Sequence, residues 1–188
     1  MDHASRGRTI ISGDSLRWRL LNMVRFIRLP DCWVGAGFVR NSVWDHLHGR
    51  PPSPPSGDVD VPWFDPERAD PSEDRKIEAI LKALDPSVHW SVKNQARMHV
   101  RNGDAPYASA TEAMQYWPET ATAVAVRRND RDYCEVAAPF GLDDLFDLTL
   151  RPAPRFALDK RRTYEERLRV KGWLIEWPLL HTAERTVG

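Results

Sequence analysis

An excess of charge of either sign is missing from this sequence. Lysine plus arginine number 27 and aspartate plus glutamate 27, so the formal net charge at pH 7 is zero. General affinity for nucleic acid needs a basic excess, so the balance argues against a nucleic-acid partner and leaves room only for a local basic groove. Long apolar runs are missing as well. The longest fall far short of a membrane span, and Met1-Asp2-His3-Ala4-Ser5-Arg6-Gly7-Arg8 holds no apolar signal core. Both observations predict no membrane partner and a cytoplasmic location. Cysteine is scarce, with only Cys32 and Cys134, each in a short apolar stretch. A single disulfide is open arithmetically; with no mark of secretion, the expectation is two buried reduced thiols. No Cys/His spacing suits a zinc site. There is no internal repeat, and the only biased stretch is a proline-rich loop at 49–57.

What is present describes an ordinary globular chain. At 188 residues it fits one domain, or one with a small extension, and 41% hydrophobic against 29% charged excludes disorder. Eight tryptophans imply a core built on large aromatics, or flat apolar surfaces that meet a partner. Residues 1–11 read as a flexible tail and 12–188 as a single domain, with a C-terminal helical cap at about 156–176.

Along the chain, Leu16, Leu20, Met23, Val24 and Ile27 recur at helical spacing and Pro30 stops the helix. Arg17, Arg19 and Arg25 lie between them, as a solvated face or as phosphate contacts. Asp31 to Gly37 reads as a short strand running into a tight turn. Phe38 to His48 then reads as a helix, with Arg40 and Asn41 in its first turn. Free N–H groups and the positive end of the dipole make such a helix start an anion site. Gly35 and Gly37 either make the turn or let a phosphate approach the backbone.

Asp58 to Phe64 reads as a strand, with Pro62 marking an edge or the end of pairing. Side chains at i and i+2 of a strand point the same way, so Asp58 and Asp60 present two carboxylates to one small volume. Val59, Val61 and Trp63 take the other face. A strand over 90–100 places Lys93, Gln95, Arg97 and His99 on one side. Two further strands, 120–127 and 133–137, are joined by a polar turn, and Glu135 lies on the second between Cys134 and Val136. A last, highly charged helix runs from Asp159 to about Trp173.

Strand, glycine turn, helix, loop and Asp-x-Asp strand resemble the DNA polymerase β-like nucleotidyltransferase superfamily. The closer similarity is to a bacterial branch of uncharacterised nucleotidyltransferase-like proteins. It rests on Ala36-Gly37-Phe38-Val39-Arg40-Asn41, Val43-Trp44-Asp45, Asp58-Val59-Asp60-Val61, Phe64-Asp65 and Lys93-Asn94-Gln95-Ala96-Arg97-Met98-His99. Trp117-Pro118-Glu119-Thr120-Ala121-Thr122-Ala123-Val124 and Ala138-Pro139-Phe140-Gly141-Leu142-Asp143-Asp144-Leu145-Phe146 extend it, so that it spans about Leu20 to Pro178.

The resemblance implies an α+β fold, a nucleotidyltransferase-like core with a small mixed sheet and packed helices. It implies an enzyme that moves a nucleoside monophosphate from a nucleoside triphosphate (NTP) to an acceptor, a small molecule or a protein, with Mg²⁺ as cofactor. Two Mg²⁺ ions can clamp the attacking and leaving oxygens of such a displacement, and carboxylates suit them. Asp58 and Asp60 would be catalytic metal ligands, and Gly35, Gly37, Arg40, Asn41 and Arg97 nucleotide contacts. Relatives usually add a third carboxylate from a neighbouring strand. Strand 90–100 carries Asn94 rather than an acid, so Glu135 is assigned as the third catalytic and metal-binding residue. The turn departs from the pattern too, with Phe38 where serine often follows the glycine. These departures keep open a catalytically inactive module that binds a nucleotide or a protein.

Overall fold

The structure, a computed structural model, describes residues 2–183. Met1 and residues 184–188, assigned above to the tail and to the end of the domain, lie outside the described residues. The elements in order are α1 (His3–Gly13), α2 (Ser15–Ile27), β1 (Val34–Gly35), α3 (Gly37–Leu47) and β2 (Val59–Trp63). Next come α4 (Pro71–Leu84), β3 (Trp90–Asn94), α5 (Met98–Asn102), α6 (Ala110–Ala113), β4 (Ala125–Arg128) and β5 (Cys134–Ala137). The chain continues through α7 (Asp143–Phe146), β6 (Thr149–Leu150), α8 (Pro154–Ala157), α9 (Arg161–Lys171), α10 (Trp173–Glu176) and β7 (His181–Thr182).

The first helix corrects the expected flexible tail at 1–11. Asp2 caps it by accepting the Ser5 N–H at 2.7 Å. Ile11 is fully buried and Gly7 lies against the Phe146 ring. Local sequence gives α1 little amphipathic signal, and its stability comes from packing on α2, α3 and β5. The α2 helix starts where the Asp14 carboxylate accepts the N–H groups of Leu16 and Arg17, both at 3.0 Å. It ends at Arg28 in a left-handed conformation, two residues before Pro30.

Five strands form a mixed sheet in the order β3-β2-β1-β4-β5. The β2–β3 pair is parallel and the others are antiparallel. Pro62 is therefore not at an edge: β2 lies inside the sheet, and the Pro62 carbonyl accepts the Trp33 N–H at 2.9 Å. The strand expected over 90–100 stops at Asn94. Its side chain accepts the N–H groups of Ala96 and Asp65 and donates to the carbonyls of Asp65 and Arg68. That tie turns the backbone into a 3₁₀ turn, Gln95–Arg97, and then into α5.

Helices α2 and α3 bury their apolar sides with Val34, Val59, Val61 and Val126 in one core cluster. Trp44 of α3 is the aromatic centre, met edge-on by Trp177 at 5.2 Å and Trp173 at 5.8 Å. These contacts seat the C-terminal helical segment. Both cysteines are free, and burial pushes the Cys32 thiol up to about 12 and the Cys134 thiol up to about 11. No helix among the described residues is long and apolar enough to cross a membrane.

Candidate active site

Gly35 lies directly opposite Asp60 in the antiparallel β1–β2 pair, and Asp60 stands beside Ser91 in the parallel β2–β3 pair. Residues opposite each other share a face, and at Gly35 the room a side chain would need is taken by neighbouring atoms. Its own neighbours demand a glycine. A Cβ there would meet Trp117 Cη2 at 3.0 Å, the Val124 carbonyl oxygen at 3.1 Å and Ala125 Cβ at 3.2 Å. Gly37 is under less constraint, since a Cβ would come no closer than 3.4 Å, to Arg40 Nη2. The strained residue of the turn is Ala36 between them, at φ 52° and ψ −122°. Ala36 fixes the turn from both sides. It donates to the Val124 carbonyl at 3.0 Å, and its own carbonyl accepts the Arg40 N–H at 2.9 Å.

An open pocket of about 220 Å³ lies at this point, lined by Ala36, Asp60, Ser91, Lys93, Thr122 and Arg167 among others. Asp60 is half-buried and Asp58 is exposed at the head of β2. Burial raises the Asp60 carboxyl above its ordinary value, and the like charge of Asp58 raises it further. Ser91, Arg40 and Lys171 pull in the opposite direction. The two carboxylates thus sense each other, as their i, i+2 spacing predicts.

Arg40 lies beneath the pocket rather than in its lining. It is buried, donates to Asn41 Oδ1 at 2.9 and 3.1 Å and to Thr122 Oγ1 at 2.9 Å, and lies over the rings of Trp173 and Trp44. Burial pushes its guanidinium down to about 10, opposed first by the charge of Glu119. Asn41 takes up the Arg40 charge and donates to Ser56 Oγ at 3.1 Å. Both residues hold the turn from below. Arg97 forms an ion pair with Asp74 and donates to the Asn94 carbonyl at 3.1 Å, which ties α5 to α4 and β3. His99 of α5 packs edge-on against Tyr107 in the loop that follows.

The structure does not bring Glu135 to the aspartates. β5 is three places from β2 in the sheet order, about 14 Å at normal strand spacing. Asn129 at 2.7 Å and Arg127 at 2.6 Å bond its carboxylate and hold it below the usual range. It lines a different cavity, of about 470 Å³, between α2 and the β4–β5 hairpin. Among the described residues no group of three or more His, Cys, Asp or Glu side chains is placed to hold a metal ion. What the fold assembles is a carboxylate pair without its expected third member.

Sequence reasoning missed Ser91, Thr122 and Arg167 in the pocket lining. Ser91 could have been found as the parallel neighbour of Asp60 had the β2–β3 pairing been known. Arg167 offered no signal, because it is one of several arginines on the most charged helix of the chain.

Comparisons with known proteins agree with this architecture. A family profile described as "Nucleotidyltransferase" matches residues 22–182. A protein whose NMR structure is described as revealing a CCA-adding enzyme head domain superposes with a TM-score of 0.85 at 31% identity, covering 96% of each chain. The Thermotoga maritima CCA-adding enzyme complexed with tRNA shares the fold at a TM-score of 0.58 and 17% identity over 97% of this chain. A CCA-adding enzyme in complex with CTP does so at 0.56 and 14% over 96%. This chain covers 43% of each of those two enzymes, less than half of their length. The search of curated proteins found no match. Topology, the strained glycine turn and the paired aspartates all lead to one assignment, and the chain belongs to the nucleotidyltransferase family, with a DNA polymerase β-like fold.

Proposed function

We propose that this chain catalyses Mg²⁺-dependent transfer of a nucleotidyl group from an NTP to an acceptor hydroxyl. The observation that carries the reading is Asp60 in the wall of a polar pocket that also holds the cations Lys93 and Arg167, with Asp58 close enough to raise the Asp60 carboxyl. The pair suits a divalent ion. Burial and mutual repulsion raise the Asp60 carboxyl, and an oxygen-seeking cation between the two would offset both. Mg²⁺ commonly takes only one or two carboxylates and completes its shell with water and substrate phosphates, so a third acid is not a precondition. When bound, the ion polarises the phosphoryl oxygens and neutralises charge that develops on them. The chain's own residues then have separable tasks. Asp58 and Asp60 hold the ion, the first N–H groups of α3 face phosphate, and Ser91 and Thr122 offer hydroxyls along the pocket wall.

The acceptor is proposed as a small molecule or a protein, because the balanced charge gives no general hold on a polyanion. Calorimetry of Mg²⁺-NTP binding to wild type and to Asp58→Asn/Asp60→Asn tests the reading. Wild type is expected to bind and the double variant to lose metal-dependent binding; a wild type that binds no NTP in the presence of metal overturns it. A second reading, an inactive nucleotide-binding module, is favoured by one observation, the position of Glu135 three strands from the pair. Labelled NTP incubated with cell extract or RNA separates the two. Label transfer that depends on Asp58 supports the enzyme, its molecular class identifies the acceptor, and tight binding without transfer supports the module.

A further inference from the structure

Arg167 reaches the pocket from α9, far along the chain from both aspartates. Its Nε donates to Glu119 Oε1 at 2.7 Å, the one hydrogen bond of its side chain among the described residues. Glu119 is fully buried, and its Oε2 has no hydrogen-bond partner. Trp173 supports the guanidinium, 5.3 Å from the ring centroid, while Arg40 lies 4.2 Å from the same ring. Arg167 bonds the buried Glu119 carboxylate directly, and the charge of that carboxylate also acts on the buried Arg40 guanidinium. The like charge of the two guanidiniums is felt, since Arg167 helps to push Arg40 down. Lys93, the other cation of the lining, is already paired with Glu78 at 3.0 Å.

An arginine fixed through Nε over an aromatic ring keeps its two Nη groups in one plane. That geometry matches a pair of anionic oxygens and loses little entropy on binding them. Of this cluster Arg167 lines the pocket and is partly exposed, whereas Arg40 and Glu119 are buried. We propose that Arg167 is a ligand of the polyphosphate tail of the nucleotide, with its Nη groups taking phosphate oxygens while Glu119 holds the guanidinium in place. The inference rests on the reading of this pocket as the NTP site and adds a substrate contact supplied by the C-terminal segment. A purely structural Arg167 would only pin α9 to the segment around Glu119, and its loss would be felt in stability without regard to phosphate.

The test uses the full chain, inorganic tripolyphosphate with Mg²⁺ as one probe and Mg²⁺-NTP as the other, by calorimetry. Arg167→Met is expected to weaken tripolyphosphate binding roughly 10- to 100-fold, the range for charge-assisted hydrogen bonds. Arg167→Lys should recover part of it. Because Arg167→Met strands a buried carboxylate, Glu119→Gln/Arg167→Met is measured beside it; it removes both charges and keeps the test valid if the single variant folds poorly. A double variant that binds tripolyphosphate as wild type does overturns the inference, and so does a wild type with no affinity for it. NTP binding that needs Asp58 and Asp60 but not Arg167 defeats the inference and leaves the function standing. Arg167-dependent tripolyphosphate binding with no NTP binding does the reverse.

Discussion

Replacing Ala36 by glycine is expected to stabilise the protein. Ala36 has φ 52° and ψ −122°, a region that glycine enters freely and that other residues hold only under strain. Such a residue stores about 1–3 kcal/mol. Glycine gives back about 0.5–1 kcal/mol through the extra freedom of the unfolded chain. Central values of about 2 and about 0.75 kcal/mol leave a net gain of about 1 kcal/mol, within outer limits of roughly 0–2.5 kcal/mol, and for a chain of this length about 1 kcal/mol is a rise in Tm of roughly 2–4 °C. Urea unfolding followed by circular dichroism measures it as a higher midpoint at an unchanged slope. Gly35→Ala, one residue earlier, should go the other way. Its Cβ would press on Trp117, the Val124 carbonyl and Ala125, a crowding worth about 1–3 kcal/mol of destabilisation. An Ala36→Gly protein that is no more stable than wild type refutes the assignment of strain to that residue. Equal effects of the two substitutions refute the claim that the turn's demands differ residue by residue.

Stability should also depend on Asp60 in a pH-dependent way. Its carboxyl is raised in the folded state, so ionised Asp60 opposes folding. That opposition is absent below the ordinary value of 3.8, grows as pH climbs towards the folded value, and is complete above it. Asp60→Asn is therefore expected to raise Tm at pH 7 and to lose that advantage below pH 3.8, read by thermal scans across the range; an advantage that grows towards acid would contradict the sign. Buried Asp74 accepts the indole N–H of buried Trp63 at 2.8 Å and the N–H of buried Asn94 at 3.0 Å and pairs with the partly buried Arg97. Asp74→Ala strands these donors and should cost about 3–5 kcal/mol in urea unfolding; a loss below about 1 kcal/mol would show that the pair is not needed.

Where sequence reasoning succeeded, the governing interactions were local. The α2 helix could be read because Asp14 caps its start, Pro30 follows its end and apolar residues recur at the helical period between them. The Asp58–Asp60 pair could be read because alternation along one strand needs no knowledge of neighbours. Glu135 failed for the opposite reason. Its place on a strand was legible, but its distance from Asp60 depends on β1 and β4 lying between β5 and β2, and strand order is not written in any one segment. The α1 helix failed similarly, since its burial comes from elements later in the chain.

The sequence by itself determined the family, the mixed α+β character, the glycine turn and the two aspartates, because each is carried by residues close together in the chain. Only the tertiary structure decided which acids meet, that Ala36 and not a glycine bears the strain, and that Arg40 supports the pocket from below. It also delivered Arg167 to the pocket, across the chain from Asp60. The physical reason is that a binding site is made by the packing of distant segments, and sequence spacing reports only on what the backbone period places side by side.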